Sequence, residues 1–407
     1  MTDHIIFHID VNSAFLSWTA LTRLRQGDSL DLREIPSIIG GDMAKRHGVV
    51  LAKSIPAKAY GITTGEPVVN AFRKCPNLVS AAPDHAMYEQ MSHSLMQYLS
   101  GICPDIEKVS IDECYMDYTP IASKYTSPEA AAHQIKDEVY KRFGFTVNVG
   151  ISDRKVLAKM ASDFKKPNLV HTLYSWEIQE KMWPMPVSSL FMCGHSSAET
   201  LHKLGILTIG ELAQADLQIL ESHLKSHGIT LWKYANGEDS AEVLPEPVKA
   251  KGIGNSTTLS ADVITREEAC KVLLWLAESV GKRLRTSGQL ASQVCTEIKY
   301  NTFKSVSHQA LLTAPTASTE IIYHNACILF DELWDGTPIR LLGIRTTKLV
   351  AEDEPIQLNL FDYIAPVSEK QKRLDAALDS IRNRYGKDSI KRGSLLDSPA
   401  HSEHWDH

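Results

Sequence analysis

Two adjacent acids, in Ser110-Ile111-Asp112-Glu113, set the tightest limit on the architecture of this chain. They stand between two short runs of alternating side chains, 106–110 and 114–118. Alternation of this kind predicts a β-hairpin with the acids at its tip. Like charges held side by side are unfavourable unless a cation neutralises them. Magnesium suits a carboxylate pair, being a hard cation that takes oxygen ligands. A third carboxylate, Asp10, ends the apolar run Ile5-Ile6-Phe7-His8-Ile9. An aspartate closing a first strand and two acids on a hairpin can meet at one sheet edge, the layout of a two-metal phosphoryl-transfer site. The dipeptide alone also fits an exposed acidic turn; the strand-final Asp10 and the sheet order argue for the metal.

That order emerges along the chain. Residues 4–9 read as a buried strand and 12–25 as a helix. Residues 30–83, with many Gly, Pro and short apolar runs, read as a compact insertion. A helix over 88–99 aligns Met91, Leu95 and Leu99. After the hairpin come an amphipathic helix, 128–143, and an alternating strand, 145–151. Strand, insertion, helix, strand, strand, helix, strand is the order of a ferredoxin-like sheet, which brings Asp10 beside the hairpin. A lysine-bearing helix, 154–165, stops at Pro167-Asn168. Short helices fill 187–227, and the stretch from Lys203-Leu204-Gly205-Ile206 to Gly210 resembles a helix-hairpin-helix module. Residues 242–251 read as a tether. A second α/β unit covers 252–349, with a helix at 266–287 and strands at 291–300 and 339–348. One further helix is expected at 369–385.

With 407 residues, more than one domain is expected. The composition, 43% hydrophobic and 23% charged, is that of an ordinary globular protein. There is no run long enough for a membrane span, and residues 1–4 lack the start of a secretory signal. Seven scattered cysteines without a Cys-x-x-Cys pair fit a reducing cytoplasm better than a disulfide framework. The net charge of −6 weighs against nucleic acid, but local placement matters more than the total.

Other groups carry chemistry less specifically. Phe15 follows the strand-final acid on the first helix, where a ring can exclude a ribose 2′-hydroxyl or simply fill the core. Lys58 and Lys166 can neutralise a triphosphate as point charges or stand solvated. Cys193-Gly194-His195-Ser196 is the expected helix-hairpin-helix turn, offering backbone N–H groups to a phosphate. Gln357-Leu358-Asn359-Leu360-Phe361 fits either an anchor for a partner's pocket or an edge strand. Gly40-Gly41-Asp42 reads as a turn.

Taken together, the motifs resemble those of Y-family translesion DNA polymerases from residue 4 to 361 and on to 396. The resemblance is carried by Ile9-Asp10-Val11-Asn12 with Phe15, Ala57-Lys58-Ala59-Tyr60-Gly61-Ile62, Ser110-Ile111-Asp112-Glu113, Gly150-Ile151-Ser152 with Lys159, and Lys203-Leu204-Gly205-Ile206. It implies an α+β multidomain right hand. A ferredoxin-like palm would span 1–13 and 84–173, small fingers 14–83, and a helix-hairpin-helix thumb 174–241. A linker at 242–251 would lead to an α/β little finger, 252–350, and a clamp-binding segment and tail, 351–407. Asp10, Asp112 and Glu113, helped by the Val11 backbone carbonyl, would hold two Mg²⁺ ions. Phe15 would be the steric gate against ribonucleotides, and Lys58 and Lys166 would approach the incoming triphosphate. Lys282, Arg283, Arg285, Lys299 and Lys304 would touch the DNA backbone. Gln357, Leu358, Leu360 and Phe361 would bind the bacterial sliding clamp.

Asp-Val-Asn after the first strand and Ala-Lys-Ala near Lys58 are similar to the catalytic subunit of DNA polymerase V. DNA polymerase IV-like members usually carry tyrosine at the position of Ile55 and arginine at that of Lys58. That lineage implies a polymerase V-type accessory subunit or a recombinase filament as a further partner, besides primer–template DNA, deoxynucleoside triphosphates and the clamp. The implied function is template-directed translesion synthesis in the cytoplasm during the SOS response. The competing expectation is a non-catalytic clamp- and DNA-binding adaptor, which has no need of three carboxylates. A nucleotide cyclase on a similar palm is disfavoured by the helix-hairpin-helix and clamp-like segments.

Overall fold

The computed structural model describes residues 4–41, 48–239, 242–245, 250–354, 369–386 and 389–395. The described residues divide into two compact units, one made of those up to residue 245 and the other of those from residue 250 onward.

The first unit opens with β1 (Ile6–Val11), fully buried, then α1 (Ala14–Arg25). A three-stranded sheet follows from β2 (Ser37–Gly40), β3 (Val50–Lys53) and β4 (Val79–Ala81), with α2 (Ile55–Ala59) and α3 (Val68–Lys74) between β3 and β4. Next come α4 (His85–Ile102), β5 (Ile106–Lys108), β6 (Glu113–Asp117), α5 (Pro128–Phe143), β7 (Val147–Ser152), α6 (Lys155–Asp163) and β8 (Val170–Thr172). The large sheet has the order β5-β6-β1-β7-β8. Its first four strands are antiparallel and reproduce the ferredoxin-like arrangement, with β8 added parallel to β7.

Local chemistry explains the element ends. The Ser127 side chain accepts from Ala130 N–H and Pro128 opens α5, while Gly144 closes it at φ 85°. This helix has the predicted bounds. The predicted 12–25 helix begins later, at Ala14, because Ser13 turns the chain in the left-handed region at φ 47°.

Alternation along β1 divides its side chains between two faces. Phe7, Ile9 and Val11 enter a core with Trp18, Tyr88, Leu95, Ile135 and Val139. Ile6 packs with Tyr115 and Ala158 of α6 on the other face, the face that His8 and Asp10 share with it. α1 bridges two cores: Trp18 and Leu21 belong to that of the large sheet, Leu16 and Ala20 to that of the small one.

The helical remainder of this unit contains α7 (Ile178–Lys181), α8 (His195–Lys203), α9 (Ile209–Ala213) and α10 (Leu217–Ala235), the last interrupted at Lys225. The hairpin between paired helices lies at residues 204–208, where Gly205 takes φ 79°. Thr208 and Glu211 form a reciprocal cap on α9. The segment expected as a turn, Cys193 to Ser196, leads into α8: Met192 takes φ 69°, Cys193 is buried in the helical core and Gly194 precedes the first turn of α8.

The second unit runs β9 (Gly252–Val263), α11 (Arg266–Thr286), β10 (Gln289–Tyr300), β11 (Ser305–Thr316), α12 (Thr319–Leu333) and β12 (Ile339–Ala351), followed by α13 (Glu369–Tyr385). The element order repeats that of the first sheet, but the strand order is β11-β10-β12-β9. β9, β11 and α12 add to the elements expected here; β11 is largely exposed, so its apolar signal is weak. The clamp-like residues Gln357, Leu358, Leu360 and Phe361 lie outside the described residues, as does Asp42.

Candidate active site

Asp10 and Glu113 are direct cross-strand partners of β1 and β6, and the Val11 N–H donates to the Asp112 carbonyl at 3.0 Å. Opposed residues of an antiparallel pair place their side chains on one face, so the fold forces the acids together. The three predicted carboxylates therefore meet at one sheet edge.

Around them stand two lysines and a buried histidine whose imidazole is pushed down by burial. Lys159 Nζ donates to Glu113 Oε2 at 2.9 Å and lies 3.4 Å from Asp163. Lys166 bonds Asp10, and its Nζ also reaches Asp163 Oδ1 at 2.8 Å. His8, buried two residues before Asp10, brings Nε2 to 3.3 Å from Glu113 Oε2, an ion-pair distance without hydrogen-bond alignment. His8 and Lys159 hold Glu113 down to about 2. Asp112 differs: burial, reinforced by Asp10 and Glu113, pushes its carboxyl up, and its side-chain partner is the Ser110 hydroxyl at 2.7 Å. No side-chain ammonium or guanidinium is bonded to Asp112 among the described residues.

Among the described residues no group of three or more His, Cys, Asp or Glu is gathered in ligand geometry. Lys166 and Lys159 draw two of the acids toward themselves. The donor set nevertheless fits a hard divalent ion in its chemistry, because all three groups are carboxylates at one sheet edge and the Asp112 charge has no cationic partner among the described residues.

A buried amide network supports this edge. Asn148 Nδ2 donates to Ser162 and Lys165 carbonyls at 3.0 and 2.7 Å, and its Oδ1 accepts from Asn12 and Leu169. Asn12 Oδ1 in turn accepts from Thr146 and Asn168. The segment bearing Lys166 is thus tied to β1 and β7.

Phe15 is half-buried, its ring stacked on Tyr88 at 4.4 Å and 8°. The Tyr88 hydroxyl is fixed by Thr19 at 2.8 Å. Lys58 is exposed on α2 beside half-buried Lys53, whose ammonium is pushed down by burial and by Lys58.

In the second unit the predicted DNA contacts separate into two groups. Lys282 donates to Asn383, Arg283 to the Gly254 carbonyl, and Arg285 to Asp379 and the Ala317 carbonyl. Each of these three is bonded to a neighbour within the unit, Arg285 through an ion pair with Asp379. Lys299 stands with Arg340 over the exposed ring of Phe303, 5.2 and 4.9 Å from its centre, and Lys304 is exposed on the same turn.

The sequence signal for Lys159, His8 and Asp163 at this site is spacing alone: Lys159 and Asp163 are one helical turn apart, and His8 and Asp10 share a strand face.

The chain matches the impB/mucB/samB family model over residues 9–163 and the model of that family's C-terminal domain over 250–360. A protein named DNA polymerase IV from Clostridium acetobutylicum is 45% identical, covering 97% of this chain and 98% of its own. DNA polymerase IV of Acetivibrio thermocellus is 34% identical, covering 96% and 97%. DNA polymerase IV 1 of Bacillus subtilis is 35% identical, covering 96% and 93%. The fold is that of a Y-family DNA polymerase chimera of Dbh and Dpo4, with TM-score 0.73 and 21% identity, covering 85% of this chain and 99% of that one.

These relatives overturn the expected kinship with the polymerase V catalytic subunit. That expectation rested on Asp10-Val11-Asn12 and Ala57-Lys58-Ala59, with Ile55 and Lys58 in place of tyrosine and arginine; Ile55 and Lys58 are both exposed on the short α2, and such short local stretches mark descent less well than similarity along the whole chain. The implied polymerase V-type accessory subunit or recombinase filament loses its basis with them. No helix among the described residues is long and apolar enough to cross a membrane. Similarity along nearly the whole chain, with both family models matched and the same fold, establishes that this chain belongs to the Y family of DNA-directed DNA polymerases.

Proposed function

We propose that the chain performs template-directed translesion synthesis, adding deoxynucleotides to a primer 3′ end. The observation that carries this reading is the convergence of Asp10, Asp112 and Glu113 at the β1–β6 edge. Asp10, Asp112 and Glu113, with the Val11 carbonyl, would hold two Mg²⁺ ions. When bound, such ions promote attack by the primer hydroxyl and stabilise the leaving pyrophosphate.

The protein's own groups prepare that step. Lys166 bonds Asp10 and is placed to meet triphosphate charge, while Lys58 and Lys53 offer further positive charge from α2 and β3. Phe15, braced by Tyr88, is the proposed sugar gate. Lys299 and Lys304 beside Phe303 suit nonspecific backbone contact, as an enzyme accepting any sequence needs. The domain limits expected above, the bacterial sliding clamp as partner of Gln357, Leu358, Leu360 and Phe361, and action in the cytoplasm belong to the same proposal. Nothing favours the non-catalytic adaptor.

Primer extension on damaged and undamaged templates with Mg²⁺, with and without clamp, tests the reading. Asp112→Ala abolishes extension and leaves DNA binding intact. Absence of extension by the parent protein under both conditions, or full activity of Asp112→Ala, refutes it.

A further inference from the structure

We propose that Cys270 and Cys327 form a dithiol modification site, at which a hydroperoxide reversibly joins α11 to α12 of the second unit. The two Sγ atoms lie 3.6 Å apart across these helices, with Cys327 as donor. Among the hydrogen bonds described, this is the single contact in which one cysteine meets another.

The pairing is held by more than packing. One turn before Cys270, Arg266 reaches across to Asp331, one turn after Cys327. Its Nε and Nη2 donate to the two carboxylate oxygens at 2.7 Å each. This paired geometry fixes the helices in register and keeps the sulfurs opposed. The site is also approachable from one side. Cys270 lines a cavity of about 710 Å³ together with Arg266, Lys271, Leu274, Tyr323 and Arg392, and Cys327 does not line it. A small oxidant entering the cavity meets Cys270 first.

The electrostatics assign the same roles. The thiol hydrogen bond from Cys327 and the nearby Arg266 guanidinium hold Cys270 down, to about 7, while the same bond and burial push Cys327 up. Thiolate, not thiol, is the nucleophile. By contrast, burial pushes Cys103, Cys114 and Cys193 up.

The chemistry balances with one hydrogen peroxide per pair. The Cys270 thiolate attacks one peroxide oxygen and the O–O bond breaks. Cys270 becomes a sulfenic acid, and the departing hydroxide takes a proton to become water. The Cys327 sulfur then attacks the sulfenyl sulfur, forming S–S as the second hydroxide leaves and takes the Cys327 proton. Each sulfur is oxidised by one electron, and the peroxide is reduced to two waters. A thiol reductant reverses the bond by exchange.

The experiment treats the full chain with hydrogen peroxide, blocks remaining thiols with an alkylating reagent, and maps peptides without reduction. The expected result is loss of two of the seven thiols, a single intrachain 270–327 disulfide, and recovery of both thiols with dithiothreitol. In Cys327→Ala, Cys270 accumulates as a sulfenic acid that dimedone traps; in Cys270→Ala, Cys327 stays reduced. The mapping of the parent protein needs no variant, so a folding defect in either leaves the test intact. Both thiols remaining alkylatable, earlier oxidation of another cysteine, or a disulfide between chains would each overturn the proposal.

Discussion

Gly150→Ala is the substitution that most directly tests how the fold positions the carboxylate edge. A Cβ at Gly150 would stand 2.0 Å from the Ala158 carbonyl oxygen and 2.5 Å from the Ser162 nitrogen. Both are backbone atoms of α6, so no side chain can swing away. Ordinary contact begins at 3.4 Å, so β7 and α6 must separate by about 1.4 Å. α6 carries Lys159, bonded to Glu113, and Ser162, bonded to His8 Nδ1 at 2.8 Å, and it leads into the segment bearing Lys166. Overpacking of this kind costs about 1–3 kcal/mol, and a backbone clash places it at the upper end. A displacement of about 1 Å at reacting groups lowers rate by roughly 10²-fold. The assays are urea unfolding and single-turnover nucleotide insertion on primer–template DNA with Mg²⁺. Gly101→Ala is the control, because Gly101 lies in α4 with open space around it. An unfolding midpoint and an insertion rate both equal to those of the parent would refute the argument that contact between β7 and α6 sets the site.

Three further outcomes are expected. Phe15→Ala removes the ring stacked on Tyr88 and should raise ribonucleotide incorporation at least tenfold, read by paired insertion of ribo- and deoxynucleotides; unchanged discrimination removes the gate assignment. Glu278, buried on α11, binds Arg382 at 3.1 Å and Arg392 at 2.8 Å. Glu278→Ala takes the carboxylate from Arg382 and leaves Arg392 only Glu320 and Asp375, at 3.6 and 3.7 Å; it costs about 3 kcal/mol and should expose α13 to limited proteolysis, and an unchanged digestion pattern contradicts this. Glu113, held at about 2 against an ordinary 4.5, contributes stability that is full above pH 4.5 and lost as pH falls through about 2. In metal-free buffer, Glu113→Gln should therefore show a shallower acid loss than the parent over that window, and parallel curves would sink the linkage.

The first unit was the more legible. Its central strands alternate an apolar face, Phe7, Ile9, Val11 and Val147, Val149, Ile151, with a polar one, and its turns carry strong local signals such as Ser127-Pro128 and Gly144, so the ferredoxin-like order was readable before any contact was known. In the second unit β11 is mostly exposed, and its pattern fades into loop. The surroundings of basic residues were hidden for a related reason. A sequence shows that Arg285 is charged but not that Asp375 and Asp379 stand 3.6 and 2.7 Å away.

Local chemistry along the chain already named Asp10, Asp112 and Glu113, because strand alternation and hairpin turns depend on neighbours a few residues apart. The counter-charges are another matter. Lys159 and Lys166 reach Glu113 and Asp10 from 46 and 156 residues away, through packing of α6 on the sheet. So too, Cys270 and Cys327 are unremarkable in sequence, 57 residues apart, and become a pair through the contact of two helices. Long-range partners are fixed by how buried faces dock, and no local periodicity encodes that choice.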